Sequence, residues 1–172
     1  MKEFINDFEF GKMGEDLFIK SNSWKLMFPN TEIEKINNLE QQKIKGDFKC
    51  GDNFIEIKTR KPLYNWYCGR DIVIELFNEL EGKNLFEGWL SKYEENTYLF
   101  YQWTTMEDQQ LKLMRPIIVF KPYELRNHLN WLNRYKIKSS ENKNYNTKFI
   151  TIPLEKLKEK IKIWIITEDR II

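Results

Sequence analysis

The chain has 172 residues, of which 41% are hydrophobic, and its formal net charge is +2. This length and apolar content predict one folded domain over residues 1–172 and exclude a disordered chain. The sequence has no signal peptide pattern and no long apolar segment, so we expect a cytoplasmic protein without a membrane partner. Cys50 and Cys68 are too few and wrongly spaced for a zinc site, and His128 is the only histidine. A single histidine therefore argues against HNH nucleases, two-histidine metal sites and Ser-His or Cys-His hydrolases.

The N-terminal segment has helical periodicity. Apolar residues recur at intervals of three or four from Phe4 to about Lys20, which predicts an amphipathic helix. Glu15 falls on the stripe that faces the core, where a carboxylate needs a cationic partner or a metal. The alternative is a partly exposed helix glutamate. Residues 21–42 are polar, have only a weak helical tendency from Glu32 to Leu39, and are interpreted as a connector.

The next segment predicts a β-hairpin. Gly51-Asp52 is a two-residue turn signal between two alternating runs, residues 44–50 and 53–59. If that turn closes the hairpin, Phe48 faces Ile55. Side chains of one strand alternate between its faces, so the same register fixes which charged residues share a face.

Three charged side chains fall on one face of this hairpin, because Asp47 lies opposite Glu56 and Lys58 follows two residues later. Opposed carboxylates destabilise a strand pair unless a cation lies between them, and Mg²⁺ prefers such oxygen ligands. A lysine beside them is suited to orienting water or offsetting charge on phosphorus. The alternative is a solvated strand face in which lysines neutralise the two carboxylates.

This pattern resembles a known family. Asp47, eight intervening residues and then Glu56-Ile57-Lys58 resemble the D(x)nExK core of the PD-(D/E)XK nuclease superfamily, and in particular its small phage or prophage nuclease-like proteins. Gly46 before the aspartate and Thr59 after the lysine also fit the superfamily. The proline that usually precedes the aspartate is missing.

The resemblance implies an α/β fold with a restriction-endonuclease-like core. It implies a Mg²⁺- or Mn²⁺-dependent endonuclease that hydrolyses phosphodiester bonds in DNA. Asp47, Glu56 and the Ile57 carbonyl would be metal ligands, Lys58 would be catalytic, and Glu15 would complete the site. Branched DNA of the Holliday junction type, recombination intermediates and a homodimer are left open. A different class also stays open, namely a catalytically silent member that binds DNA or inhibits a host protein.

An aromatic-rich loop follows the hairpin over residues 63–69. Basic residues are interleaved with its aromatic residues, and this combination is suited to contacting DNA. The candidate DNA-binding residues are Arg60, Lys61, Tyr64 and Arg70. A packed surface loop is an equal alternative.

The apolar run Asp71–Phe77 predicts a buried central strand, and Glu75 interrupts it. Some phage members of the family carry a glutamate in the strand after ExK, and the segment around Glu75 is similar to theirs. The resemblance implies an accessory role for Glu75, near a metal-bound water or Lys58. The alternative is a carboxylate at the exposed end of the strand.

The remaining elements complete a mixed sheet of about five strands with helices on both faces. We interpret residues 161–167 as a terminal strand because β-branched residues disfavour a continued helix. The other predicted elements are strands at residues 97–103, 116–120 and 149–152 and helices from Pro122 to about Tyr135 and from Pro153 to about Lys160.

Charge is distributed unevenly along the chain. Residues 1–108 carry 14 Lys and Arg against 20 Asp and Glu, whereas residues 109–172 carry 14 against 6. The basic part is suited to binding a phosphate backbone. An equal alternative is that its lysines, Lys156, Lys158, Lys160 and Lys162 among them, only solvate a helix face.

Overall fold

The computed structural model of the chain describes residues 7–60, 70–80, 83–107, 110–141 and 146–172. These residues form ten strands and seven short α-helices. The strands are β1 Ile33–Lys35, β2 Phe48–Cys50, β3 Asn53–Arg60, β4 Asp71–Leu80, β5 Lys83–Glu87, β6 Thr97–Glu107, β7 Gln110–Phe120, β8 Lys138–Glu141, β9 Asn146–Pro153 and β10 Ile163–Ile166. The helices are α1 Asp7–Ser21, α2 Trp24–Met27, α3 Leu39–Lys45, α4 Trp89–Lys92, α5 Pro122–Leu125, α6 Leu129–Leu132 and α7 Leu154–Lys158.

A mixed six-stranded sheet is the centre of the molecule, in the order β1-β2-β3-β6-β7-β10. Strands β3 and β6 are parallel, and the other neighbours are antiparallel. The predicted mixed α/β architecture is confirmed at this level. The terminal strand β10 also agrees with the sequence, since residues 163–166, three of which are isoleucine, pair with β7.

A second, antiparallel sheet has the order β5-β4-β9-β8. Its apolar side chains, such as Ile72 of β4 and Ile150 of β9, share one buried cluster with Leu99 and Tyr101 of β6. The predicted arrangement, with helices on both faces of the central sheet, did not include this second sheet, which packs on one of those faces. Strand β4, which was predicted as a buried strand of the central sheet, lies between two other strands of this second sheet instead. The apolar run that predicted β4 gave no indication of which sheet the strand joins.

Helix α1 packs on the other side of the central sheet, where Phe18 lies in a second buried cluster and its ring centroid is 4.9 Å from that of Phe100. The helix approaches β3 so closely that a Cβ on Gly14 would lie 2.0 Å from Thr59 Oγ1. Gln102 Nε2 donates to the Gly14 carbonyl and to Thr59 Oγ1, at 2.9 Å each. These contacts fix α1 against the end of β3.

The segment predicted as a connector is more structured than expected. It contains α2, β1 and the start of α3, and the first hairpin strand begins at Phe48 rather than Ile44. The Asn38 side chain accepts hydrogen bonds from the N–H groups of Glu40 and Gln41, which starts α3 in the polar run. Such a cap stabilises a helix that apolar periodicity alone does not indicate.

The predicted helix from Pro122 to Tyr135 is divided into α5, a 3₁₀ turn at Arg126–His128 and α6. The segment between α6 and β9, in which no strand was predicted, contains β8. Among the described residues, no helix has the length and apolar character needed to cross a membrane.

Candidate functional site

The hairpin of β2 and β3 forms as predicted, with Phe48 opposite Ile55 and a turn at Gly51. Gly46 ends α3 with φ +107°, and a Cβ there would lie 2.7 Å from the Ile55 carbonyl oxygen. Only glycine fits this junction without strain. Asp47 follows it, and its Oδ2 accepts a hydrogen bond of 2.8 Å from the Ile57 N–H. The aspartate side chain thus continues the hydrogen bonding of β2 along β3.

Glu56 and Lys58 lie on the opposite side of β3 from Ile55 and Ile57, which pack in the cluster with α1. Glu56 is buried, and its Oε1 is 2.8 Å from Lys58 Nζ. Burial alone would lower the pKa of Lys58, but the charges of Glu56 and Glu75 outweigh burial and raise it. Lys58 is therefore an ammonium in the resting protein.

Asp47 is close enough to these groups for their charges to act on it. Burial, followed by repulsion from Glu56, raises the pKa of Asp47 well above its usual value. The Ile57 hydrogen bond and the Lys58 charge oppose this rise but do not cancel it. The two predicted carboxylates and the lysine thus form one electrostatic group.

Two residues that the sequence analysis did not identify also belong to this group, Lys92 and Tyr93 from the end of α4. Burial alone would raise the pKa of Glu56, but Lys58 and Lys92 outweigh it and lower that pKa. Burial, and then the Glu56 charge, raise the pKa of the Tyr93 hydroxyl well above its usual value. No motif marks either residue, because they reach Glu56 only through the packing of α4 beside β4. That packing includes a 2.8 Å hydrogen bond from the Gly88 N–H to the Leu76 carbonyl.

Glu15 lies near this group but is paired with a different lysine. Its Oε2 is 2.7 Å from Nζ of Lys35 on β1, in the segment predicted to be a connector. The bond to Glu15 is the main cause that raises the pKa of Lys35, and Asp47 contributes to the same rise. The Glu15 charge therefore acts on Asp47, but the ion-pair partner of Glu15 is Lys35.

Glu75 and Arg60 form the other border of the site. Arg60 Nη2 is 3.4 Å from Glu75 Oε1, and Arg60 Nε donates to the Tyr101 hydroxyl at 3.1 Å. Glu75 is half-buried within the sheet rather than at an exposed strand end. Arg70 is exposed just before β4, and its carbonyl accepts a 2.6 Å hydrogen bond from the Leu154 N–H. Lys61 and Tyr64, the other predicted DNA-binding residues, lie outside the described residues.

The donor set fits a hard divalent cation in part. Within the described ranges, no three His, Cys, Asp or Glu side chains converge in a way that could hold a metal. Asp47 and Glu56 do supply two carboxylates that repel each other, and Mg²⁺ needs only one or two carboxylates when water and substrate phosphate complete its shell. The residues present are thus compatible with such an ion in the presence of substrate.

A cavity of about 540 Å³ opens beside this group. It lies between the start of α1, the end of β3 and the polar side of the second sheet, and both Lys58 and Glu75 line it. A ligand in this cavity would reach Lys58 directly.

Comparisons of the chain with protein-family models, with curated proteins and with solved structures found no match.

Proposed function

We propose that the protein is a Mg²⁺- or Mn²⁺-dependent deoxyribonuclease of the PD-(D/E)XK type, with a restriction-endonuclease-like core. One observation carries the proposal: the hairpin brings Asp47, Glu56 and Lys58 into one electrostatic group, and Lys58 lines a cavity. Helix α1, which carries Glu15 and precedes the hairpin of β2 and β3, also supports it, since the resemblance implies that Glu15 would complete the site.

Asp47 and Glu56 would hold the ion, with the Ile57 carbonyl as a further ligand. Such an ion supplies Lewis acidity at the phosphate and lowers the pKa of water. Asp47 is kept in place by the Ile57 N–H, and Glu56 by Lys58. The Lys58 ammonium, next to these ligands, would stabilise negative charge on the phosphate.

A specific observation also favours the second candidate, a catalytically silent protein that binds DNA or a host protein. Lys58 and Lys92 already offset the charge of Glu56, so this carboxylate is stable in the fold without a metal. A silent member would keep this ion pair as a purely structural contact.

One assay separates the two candidates. Purified protein is incubated with branched, duplex and single-stranded DNA in Mg²⁺, Mn²⁺ or EDTA, and the products are resolved on denaturing gels. The deoxyribonuclease predicts cleavage of at least one DNA form that depends on the metal and is abolished by Glu56→Gln. If no DNA form is cut with either ion, the proposal is wrong and the silent protein is favoured.

A further inference from the structure

The second sheet has two chemically different sides. Its apolar side joins the core, whereas its other side faces the cavity next to Lys58. On that side Asn78, Thr147 and Ser140 lie in one row across β4, β9 and β8, because Thr147 pairs with both of the others. Phe149 follows two residues after Thr147 on the same side. The row and the ring form a continuous wall of the cavity.

This wall combines groups that contact bases with groups that contact phosphate. Phe149 offers an aromatic ring. The Asn78 side-chain oxygen accepts a 2.8 Å hydrogen bond from Thr147 Oγ1, and within the described residues the Asn78 N–H donors have no partner. On the opposite wall, Lys58 and Arg60 carry positive charge. Arg60 uses two of its five N–H donors on Tyr101 and Glu75 in the described part of the chain. Aromatic stacking beside cations is how proteins hold single-stranded nucleic acid.

The size of the cavity selects against a duplex. A volume of about 540 Å³ is in the range of pockets that hold one small molecule, roughly 300–1,000 Å³. One or two nucleotides of a single strand are ligands of this size, whereas a duplex would have to separate before a strand could enter.

We propose that this cavity binds an unpaired DNA strand, with a phosphate at Lys58 and a base against Phe149. The inference rests on the proposed function, because it names the form of substrate that the site receives. It implies that the protein acts on single-stranded regions, such as flaps, unpaired ends or the open strands of a junction, in preference to continuous duplex.

Binding measured without cleavage tests this inference separately from catalysis. Fluorescence anisotropy in EDTA compares a labelled 12-nucleotide oligothymidine with a duplex of equal length. We expect the single strand to bind at least about tenfold more tightly, in line with the energy of stacking one base on an aromatic ring. Ser140→Glu places a negative charge in the cavity and should weaken single-strand binding by about tenfold. Ser139→Glu adds the same charge on the other side of β8 and should have little effect, so it is the matched control.

Phe149→Ala should also weaken single-strand binding, whereas Phe149→Tyr should retain it. Circular dichroism identifies variants that fail to fold, and the exposed Ser140 position keeps the test valid if Phe149→Ala does not fold. Equal or tighter binding of the duplex, or equal effects of Ser139→Glu and Ser140→Glu, would overturn the inference even if the protein cleaves DNA. Single-strand binding that depends on Ser140 without any cleavage would leave the inference standing and remove the proposed nuclease activity.

Discussion

Lys58 is the residue on which the enzyme and the silent binding protein differ most. In the resting structure its ammonium pairs with Glu56 at 2.8 Å, in the position where a metal would compete for the same carboxylate. The motif alone does not indicate this pairing, because it specifies only that the two residues share a strand face. Lys58 therefore has two roles to separate, one in neutralising Glu56 and one in stabilising the phosphate.

Lys58→Ala should reduce metal-dependent cleavage by about 10²-fold or more, since it removes a group that stabilises charge in the transition state. The rise in melting temperature in millimolar Mn²⁺ should be at least as large as in the parent protein, because the ion no longer competes with Lys58 for Glu56. Single-turnover cleavage and thermal denaturation measure the two effects. Lys58→Arg should not restore activity, because the planar guanidinium cannot replace a compact ammonium. Equal cleavage by Lys58→Ala would show that the motif is not the catalytic site.

Asp47→Asn should stabilise the metal-free protein while weakening its response to metal. The folded-state pKa of Asp47 is raised, so the carboxyl favours folding below its ordinary value of 3.8, and this contribution is lost as the pH rises through the raised value. An asparagine at this position does not ionise, so the variant does not lose this stability as the pH rises. Its side-chain oxygen can still accept a hydrogen bond from the Ile57 N–H. The melting temperature of the variant in EDTA, relative to the parent, should therefore increase between pH 4 and pH 8.

In millimolar Mn²⁺ the parent should instead have the higher melting temperature, because only the parent has both carboxylates for the ion. Asp52→Asn changes the same charge at an exposed position in the turn of the same hairpin and is the control. A variant that is less stable than the parent at every pH would mean that Asp47 is a structural residue and not a strained metal ligand.

At the scale of elements, the position of α1 depends on the lack of a side chain at Gly14. Gly14→Ala would bring a Cβ within 2.0 Å of Thr59 Oγ1, so it should move α1 from β3 and destabilise the fold by about 1–3 kcal/mol. Gly11 is in the same helix, and a Cβ added there would have no neighbouring atom within 4 Å. Gly11→Ala should therefore stabilise the helix by about 0.5–1 kcal/mol. Urea denaturation of the two variants measures both values. Equal effects would mean that α1 does not pack on β3 as described.

The elements that sequence could predict are those in which local pattern and tertiary contact agree. The hairpin register followed from the Gly51 turn and from alternating side chains, and β10 followed from its β-branched residues. Helix α3 was missed because its stability depends on the Asn38 cap and on the end at Gly46, not on an apolar stripe. The second sheet was missed because the sequence patterns of β4 and β9 predict strands but do not indicate which strands pair with them.

The candidate site was predictable only for those residues that are close to one another in the sequence. Asp47, Glu56 and Lys58 are close in sequence, so the hairpin register alone was enough to bring them together. Lys92 and Lys35 reach the same region from elements far apart along the chain, and only the packing of α4 and β1 places them there. Contacts of this kind have no local signature in the sequence.

At the scale of the whole molecule, the question is which positive charges bind DNA. The basic C-terminal part was one candidate, but two of its lysines are already paired on the surface of α7: Lys156 is 2.7 Å from Glu159, and Lys158 is 2.9 Å from Glu155. These lysines lie on the exposed surface of a short helix. Lys58 and Arg60 instead line the cavity, although each of them is also paired with a glutamate, Glu56 or Glu75.

We therefore expect the salt dependence of single-strand binding to depend on the cavity. The slope of log K against log salt should be about 0.7 per neutralised phosphate, so Arg60→Gln should lower it by about 0.7. The double variant Lys156→Gln/Lys158→Gln removes twice the charge but should leave the slope nearly unchanged, because neither lysine lines the cavity. Anisotropy titrations at several salt concentrations measure both slopes. A larger change from the α7 lysines than from Arg60 would place the phosphate contacts on the C-terminal face and not in the cavity.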